Sequence, residues 1–217
     1  MTTKPLTTPA DPKTIVLAVL ARLRAAFPLE AQLLAAPESV HVTYVRVLSY
    51  WLAATAPPLP AVDSAMLNTL EQLDAVVLEE QGLGCYPFSS TDNGMRVTWS
   101  AGTVHACSAI DALAIARRVR ATSRVDAACL VCGAAIACQV LENGGLDHDQ
   151  VDAARVVWLA GPAADAARRH IRFLCNSCSP AQASECLSLP QATAIGNAYY
   201  GFQAALLMAH AARATSP

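Results

Sequence analysis

The chain reads as an α+β protein. Three observations predict this. Apolar residues recur at helical spacing through the first eighty positions, short β-patterned runs separated by turn residues fill the middle, and a long uncharged helical tract closes the chain. The expected order is an N-terminal three-helix, winged-helix-like module, then an antiparallel-sheet domain carrying most of the cysteines, then a C-terminal helix. The expected organisation is a flexible tail over 1–13, a helical module over 14–105 and a cysteine-bearing domain over 106–217.

In the tail, Pro5, Pro9 and Pro12 stand in a polar stretch. Residues 14–27 predict the first helix, with Ile15, Leu17, Val19, Leu20 and Leu23 as its apolar face and Pro28 following. Residues 39–55 predict a second helix, stopped by Pro57-Pro58-Leu59-Pro60. Asp63 or Ser64 caps a third helix running to about Glu80, with Met66, Leu67, Leu70, Leu73, Val76 and Val77 on one face. Gly82 and Gly84 break that pattern, and residues 85–105 predict short strands around Thr91-Asp92-Asn93-Gly94. Beyond them come a helix over 107–119, strands over 123–129 and 134–141, and a turn at Glu142-Asn143-Gly144-Gly145. A strand over 155–159, a helix over 163–169, a strand over 171–175, a helical turn over 181–188 and one long helix over 191–213 complete the chain.

Composition excludes several classes of function. Apolar residues make up 54% of the 217 positions, which suits a packed core, and the net charge of −2 provides no global basic field. Residues 38–80 carry Arg46 against Glu38, Asp63, Glu71, Asp74, Glu79 and Glu80, so no basic recognition helix exists there and nucleic acid is not an expected partner. Residues 186–212 hold no Asp, Glu, Lys or Arg, but Pro190, Gln191, Asn197, Gln203 and His210 interrupt them, so a buried helix is expected rather than a membrane span. No secretory leader is recognisable, and the expected compartment is the cytoplasm with reduced thiols.

The cysteines carry the chemistry. Cys129-Leu130-Val131-Cys132 and Cys175-Asn176-Ser177-Cys178 form two C-x-x-C pairs. Each pair lets two sulfurs face one ion from a single turn, and two pairs complete a tetrahedral four-cysteine set for which Zn²⁺ is the natural ion. Residues 133–174, 42 in number, separate the pairs, so the fold rather than a short hairpin must close the site. Gly133 eases the first turn. Cys85, Cys138 and Cys186 are isolated and read as packing. His105, the acidic loop 144–149 and the basic patch of Arg117, Arg118, Arg120 and Arg124 read as structural or solvated features.

Three segments together resemble the organomercurial lyases (alkylmercury lyases). Ala106-Cys107-Ser108-Ala109-Ile110-Asp111-Ala112-Leu113 is similar to the A-W-C-A-x-D-x-L segment of that family. Cys129-Leu130-Val131-Cys132-Gly133-Ala134-Ala135-Ile136 is similar to its C-x-x-T-G-x-P-V segment, and Phe173-Leu174-Cys175-Asn176 to its F-C-N segment. Order and spacing agree over roughly residues 60–205. The resemblance implies an alkylmercury-lyase-like domain in which two thiolates bind the soft mercury of a small organometallic substrate and an Asp delivers a proton to the departing carbon. It places the proton donor at Asp111 and one thiol at Cys175. The other family cysteine falls on Ser108, whose hydroxyl is too hard a ligand to replace a thiolate. Cys107 is a candidate substitute thiol or a small buried hydrophobe. Two alternatives stand beside the lyase: a non-catalytic zinc protein on the same fold, and an enzyme acting on another substrate through Ser108 and Asp111.

Overall fold

The computed structural model describes residues 11–57, 63–159, 170–180 and 183–214. Helices α1 (Pro12–Ala26), α2 (Leu29–Ala35), α3 (Glu38–Leu52) and α4 (Ser64–Gln72) open the chain. Helix α1 starts inside the segment expected as tail, because Pro12 suits a first helical position where its missing N–H costs nothing. Helix α2 was not expected. Its seven residues bury Leu29 and Leu33, an i, i+4 pair between Pro28 and Pro37. Helix α3 turns Val40, Tyr44, Val45, Val47, Leu48 and Trp51 inward.

Asp63 caps α4 as expected, its Oδ1 accepting from Ala65 N at 2.9 Å and Met66 N at 3.2 Å. Asp63→Ala should cost about 1 kcal/mol, the usual worth of such a cap, read as a shift in the urea midpoint at unchanged slope. The helix stops earlier than its apolar pattern implies. Asp74 adopts a left-handed φ of 50°, and Val77 enters strand β1 (Val77–Glu79), paired with β2 (Gly82–Gly84). Val76 and Val77 therefore do not extend the helix. A Cβ on Gly84 would come within 2.7 Å of Val77 Cγ1, so the close pairing requires glycine there.

Residues 88–140 build one antiparallel sheet in the order β3-β5-β4-β6-β7, from β3 (Phe88–Ser89), β4 (Met95–Trp99), β5 (Gly102–Ala106), β6 (Ser123–Ala128) and β7 (Ala135–Val140). The strands expected to close the N-terminal module thus share a sheet with those after residue 106. The turn at 91–94 joins β3 to β4 without pairing them; the tight hairpin is β4–β5, closed by Ser100-Ala101. Residues 95–99 alternate buried and accessible, as a strand with one covered face requires.

Helix α5 (Ala109–Val119) leaves β5 and covers the inner face of this sheet, with Ala109 to Ala116 all buried. A second antiparallel sheet has the order β10-β8-β9, from β8 (Arg155–Leu159), β9 (Ile171–Leu174) and β10 (Ala183–Ser188). Residues 183–188 are a strand rather than the expected helical turn, because register pairing with β8 buries Leu187. The expected helix over 163–169 lies outside the described residues. The closing tract is two helices, α6 (Leu189–Tyr199) and α7 (Gly201–Ala214), broken at Tyr200. Among the described residues no helix is long and apolar enough to cross a membrane.

Helices α5 and α6 touch through Gly196. A Cβ there would lie 2.7 Å from the Ile110 carbonyl oxygen and 3.2 Å from Ala114 Cβ. The α+β class is as expected, and its layers bring the ends of β5, β6 and β9 toward the cysteines.

Candidate metal centre

The first C-x-x-C pair sits where β6 turns into β7. Cys129 N donates to Ala134 O at 2.8 Å and Gly133 N to Cys129 O at 3.0 Å, closing a tight loop with Gly133 at φ +71°. A left-handed residue at that point favours glycine, as the sequence implied. The second pair follows the end of β9, where Cys178 N donates to Cys175 O at 3.3 Å. The two turns are stitched together: Leu130 N donates to Phe173 O at 3.0 Å, and Cys175 N lies 3.4 Å from Cys129 Sγ.

Cys129, Cys132, Cys175 and Cys178 therefore converge, with all four sulfurs within 4.8 Å of one another. Cys132 Sγ and Cys175 Sγ are 3.7 Å apart. A tetrahedral site with metal–sulfur bonds of about 2.3 Å has edges of about 3.8 Å, so the set fits such an ion with little adjustment. Cys129 is buried, Cys175 and Cys178 are half-buried, and Cys132 is exposed, leaving one open side.

Electrostatics favour a cation there. At Cys129, burial works to raise the thiol pKa, but the backbone N–H groups of Cys175, Cys132 and Val131 outweigh it and bring the thiol down to about 6. Cys178 moves the other way, to about 12, because Cys175 first and then Cys132 crowd it with sulfur. Four thiolates cannot share this volume without a positive charge, so the set is ready to lose protons in exchange for a metal ion.

Arg155, which the sequence reading did not single out, braces the second turn. Its Nη2 donates to Cys175 O at 3.3 Å, to Asn176 O at 3.5 Å and to Cys178 O. Asn176 Nδ2 in turn donates to Asp152 O. One sequence signal existed: a lone charge opening the otherwise apolar strand Arg155–Leu159.

The other singled-out residues lie elsewhere. Ser108 and Asp111 begin α5, and both are buried. Ser108 Oγ accepts from Asp111 N at 3.2 Å as the helix cap, and Tyr200 donates its hydroxyl to Asp111 Oδ1 at 2.5 Å. Tyr200 was missed because it lies 89 residues away; Gly201 beside it was the available sign of a helix break. Cys107 is buried, its thiol 3.6 Å from Phe88 O, outside the four-sulfur set. Register places both groups at one end of the sheet: Ala106 lies on β5, next to β4, and Met95 of β4 pairs with Ala127 of β6. Two strand spacings, about 10 Å, separate the β5 and β6 ends laterally. His105 Nδ1 lies 3.4 Å from Asp92. Burial raises the thiol pKa at Cys85 and, to about 12, at Cys138, as expected of packing residues. Cys186 is exposed, 3.8 Å from Arg155 Nη1.

Fold and site together define an α+β protein with a four-cysteine cluster compatible with metal binding. No family profile matches the sequence, and no curated protein matches it. The fold is similar to a solved structure described as the mercury-bound form of MerB2, with a TM-score of 0.61 and 18% identity, covering 81% of this chain and 96% of that one. The chain thus has a MerB-like fold, in accord with the resemblance of its three segments.

Proposed function

We propose that this protein is a soft-metal-binding protein whose centre is the four-thiolate set Cys129, Cys132, Cys175 and Cys178. The observation that carries the reading is the convergence of four sulfurs within 4.8 Å from two N–H-lined turns. Zn²⁺ is the resident ion the set suits best, since it accepts four thiolates in a closed tetrahedron. In that role it supplies cross-linking, joining the β6–β7 turn to the end of β9. Thiolates equally suit mercury, so Hg²⁺ or an organomercurial would compete for the same sulfurs.

Protonolysis of a carbon–mercury bond is the second reading, favoured by Asp111 at the same sheet end and by the MerB-like fold. In that step a thiolate-held R–Hg group takes the proton of the Asp111 carboxyl. The carbon–mercury electron pair becomes the new C–H bond, R–H departs, and Hg²⁺ stays on sulfur while Asp111 becomes a carboxylate. Cys175 belongs to the four-sulfur set, Cys107 faces Phe88, and Ser108 is a helix cap, so binding of the ion outranks turnover here. The reading through Ser108 as a reacting group has less support, since its Oγ is buried against a backbone N–H.

The deciding experiment pairs metal analysis of protein purified without added metal with a phenylmercury cleavage assay on wild type, Asp111→Asn and Ser108→Cys. One equivalent of zinc and no benzene release supports the metal-binding reading. Benzene release by wild type that falls about 10²-fold or more in Asp111→Asn, with metal content unchanged, makes the lyase reading the correct one. Absence of tight metal in wild type defeats the first reading.

A further inference from the structure

We propose that Cys132 and Cys175 form a redox switch on the four-cysteine centre: a peroxide joins their sulfurs in a disulfide, and the metal is expelled. The switch rests on the metal-binding reading above and adds regulation to that site. The two cysteines belong to different turns, 43 residues apart in the chain, yet their sulfurs are 3.7 Å apart.

Accessibility selects the sulfur that reacts first. Cys132 is exposed, whereas Cys129 is buried and Cys175 and Cys178 are half-buried. Its neighbours leave it open. Val131 is 55% exposed, and a Cβ built on Gly133 would meet nothing within 4 Å. An oxidant in solvent therefore meets Cys132 before the other three, since susceptibility follows thiolate character and exposure.

Contact selects its partner. Closing 3.7 Å to a disulfide bond of about 2.05 Å requires a shift of about 1.7 Å. The open turn at Cys132 can supply it. The second turn is the fixed side, because Arg155 holds the carbonyls of Cys175 and Cys178. Cys129 is the poorer partner: it is buried, and its sulfur takes the Cys175 N–H at 3.4 Å.

The chemistry balances with a peroxide as the two-electron oxidant. The Cys132 thiolate attacks one peroxide oxygen; the S–O bond forms, the O–O bond breaks and hydroxide leaves. The Cys175 thiolate then attacks the Cys132 sulfur; the S–S bond forms, the S–O bond breaks and a second hydroxide leaves. Two protons from solvent turn both hydroxides into water. Ion and disulfide exclude each other, since a tetrahedral ion holds thiolates about 3.8 Å apart and disulfide sulfurs are bonded and neutral. Of the four, Cys129 and Cys178 alone then remain as thiolate ligands. The new bond joins the β6–β7 turn to the end of β9, so the cross-link persists as the metal goes.

The test treats the zinc-loaded full chain with hydrogen peroxide. A chromophoric chelator follows zinc release, and mass spectrometry of unreduced peptides maps the bond. Expected are release of about one equivalent of zinc, a Cys132–Cys175 link, and recovery of zinc binding after dithiothreitol. The oxidised, metal-free protein should melt about 5 °C or more above the reduced, metal-free protein, because the link closes a long loop in the unfolded chain. Cys186→Ser, which removes an exposed thiol outside the set, should respond as wild type does. Zinc retained after the link forms, any other pairing, sulfinic acid without a link, or loss of the response in Cys186→Ser would each overturn the switch and leave the metal-binding reading standing. Absence of zinc before peroxide is added would instead overturn that reading, and the switch with it.

Discussion

Cys175→Ser should abolish metal binding at the proposed four-cysteine centre. Structural zinc in small peptides is worth about 10–16 kcal/mol over four ligands, so one thiolate carries about 3 kcal/mol, or roughly a hundredfold in affinity. The loss should be larger in practice, because Cys175 lies at the junction: its sulfur is 3.7 Å from Cys132 Sγ and its N–H faces Cys129 Sγ. Serine keeps the size of the side chain but offers a hard, protonated oxygen. Stoichiometry measured after dialysis against a weak chelator should fall from one equivalent to a small fraction. Thermal stability should fall with it, since an ion held by these four sulfurs would tie two sheets together. Cys186→Ser is the matched control. That thiol is exposed beside Arg155 but outside the converged set, so its loss should leave stoichiometry unchanged. Equal losses in the two variants would mean that metal is held by scattered thiols and that the four-sulfur centre is not the site. Acid should act like the substitution, because protons compete for every sulfur. Metal affinity should fall as pH falls, and below about 6 the Cys129 thiol is itself protonated and adds to that loss.

Gly196→Val should be the most destabilising single change outside the centre. A Cβ at this position meets the Ile110 carbonyl oxygen at 2.7 Å, a backbone atom that cannot rotate away, and Ile110 Cγ2 at 3.2 Å. Helices α5 and α6 must then separate, which loosens the packing of Leu113 and Ile195 as well. Overpacking of this kind costs about 3 kcal/mol, less a few tenths returned by the better helix propensity of valine. For a chain of this size that is a fall of roughly 6–12 °C in Tm. The displacement also reaches the second reading of function, because Ile110 precedes Asp111 and the Tyr200–Asp111 hydrogen bond spans the same helix interface. Gly133 provides the contrast. Nothing lies within 4 Å of a Cβ there, so Gly133→Ala should cost only the left-handed backbone penalty of about 1 kcal/mol. A Gly196 variant as stable as wild type by urea unfolding would show that the interface relaxes freely.

Much of the secondary structure was legible because local chemistry decides it. Strand Arg155–Leu159 lies where its apolar, β-branched run implied, and Asp63 caps α4 because a carboxylate beside two free N–H groups needs no tertiary help. The errors fall where packing overrules the local pattern. Residues 183–188 pair with β8 instead of coiling, and Val77 pairs with Gly84 instead of extending α4. The uncharged tract after Leu189 hides a break at Tyr200, where the backbone carbonyl is taken by Arg118 and the phenol by Asp111.

The same division holds for the site. Spacing within each C-x-x-C pair is a local property, and it alone implied two metal-facing turns. Whether the pairs meet depends on pairing between strands far apart in the chain: Leu130 N must find Phe173 O, and Arg155 must gather the carbonyls of the second turn. The sequence by itself determined which atoms are soft ligands and which carboxylate begins a helix. Only the tertiary structure decided that four sulfurs share one small volume and that the Cys107 thiol lies against Phe88 O. Those outcomes depend on contacts closed between residues far apart in the chain, and no local pattern records them.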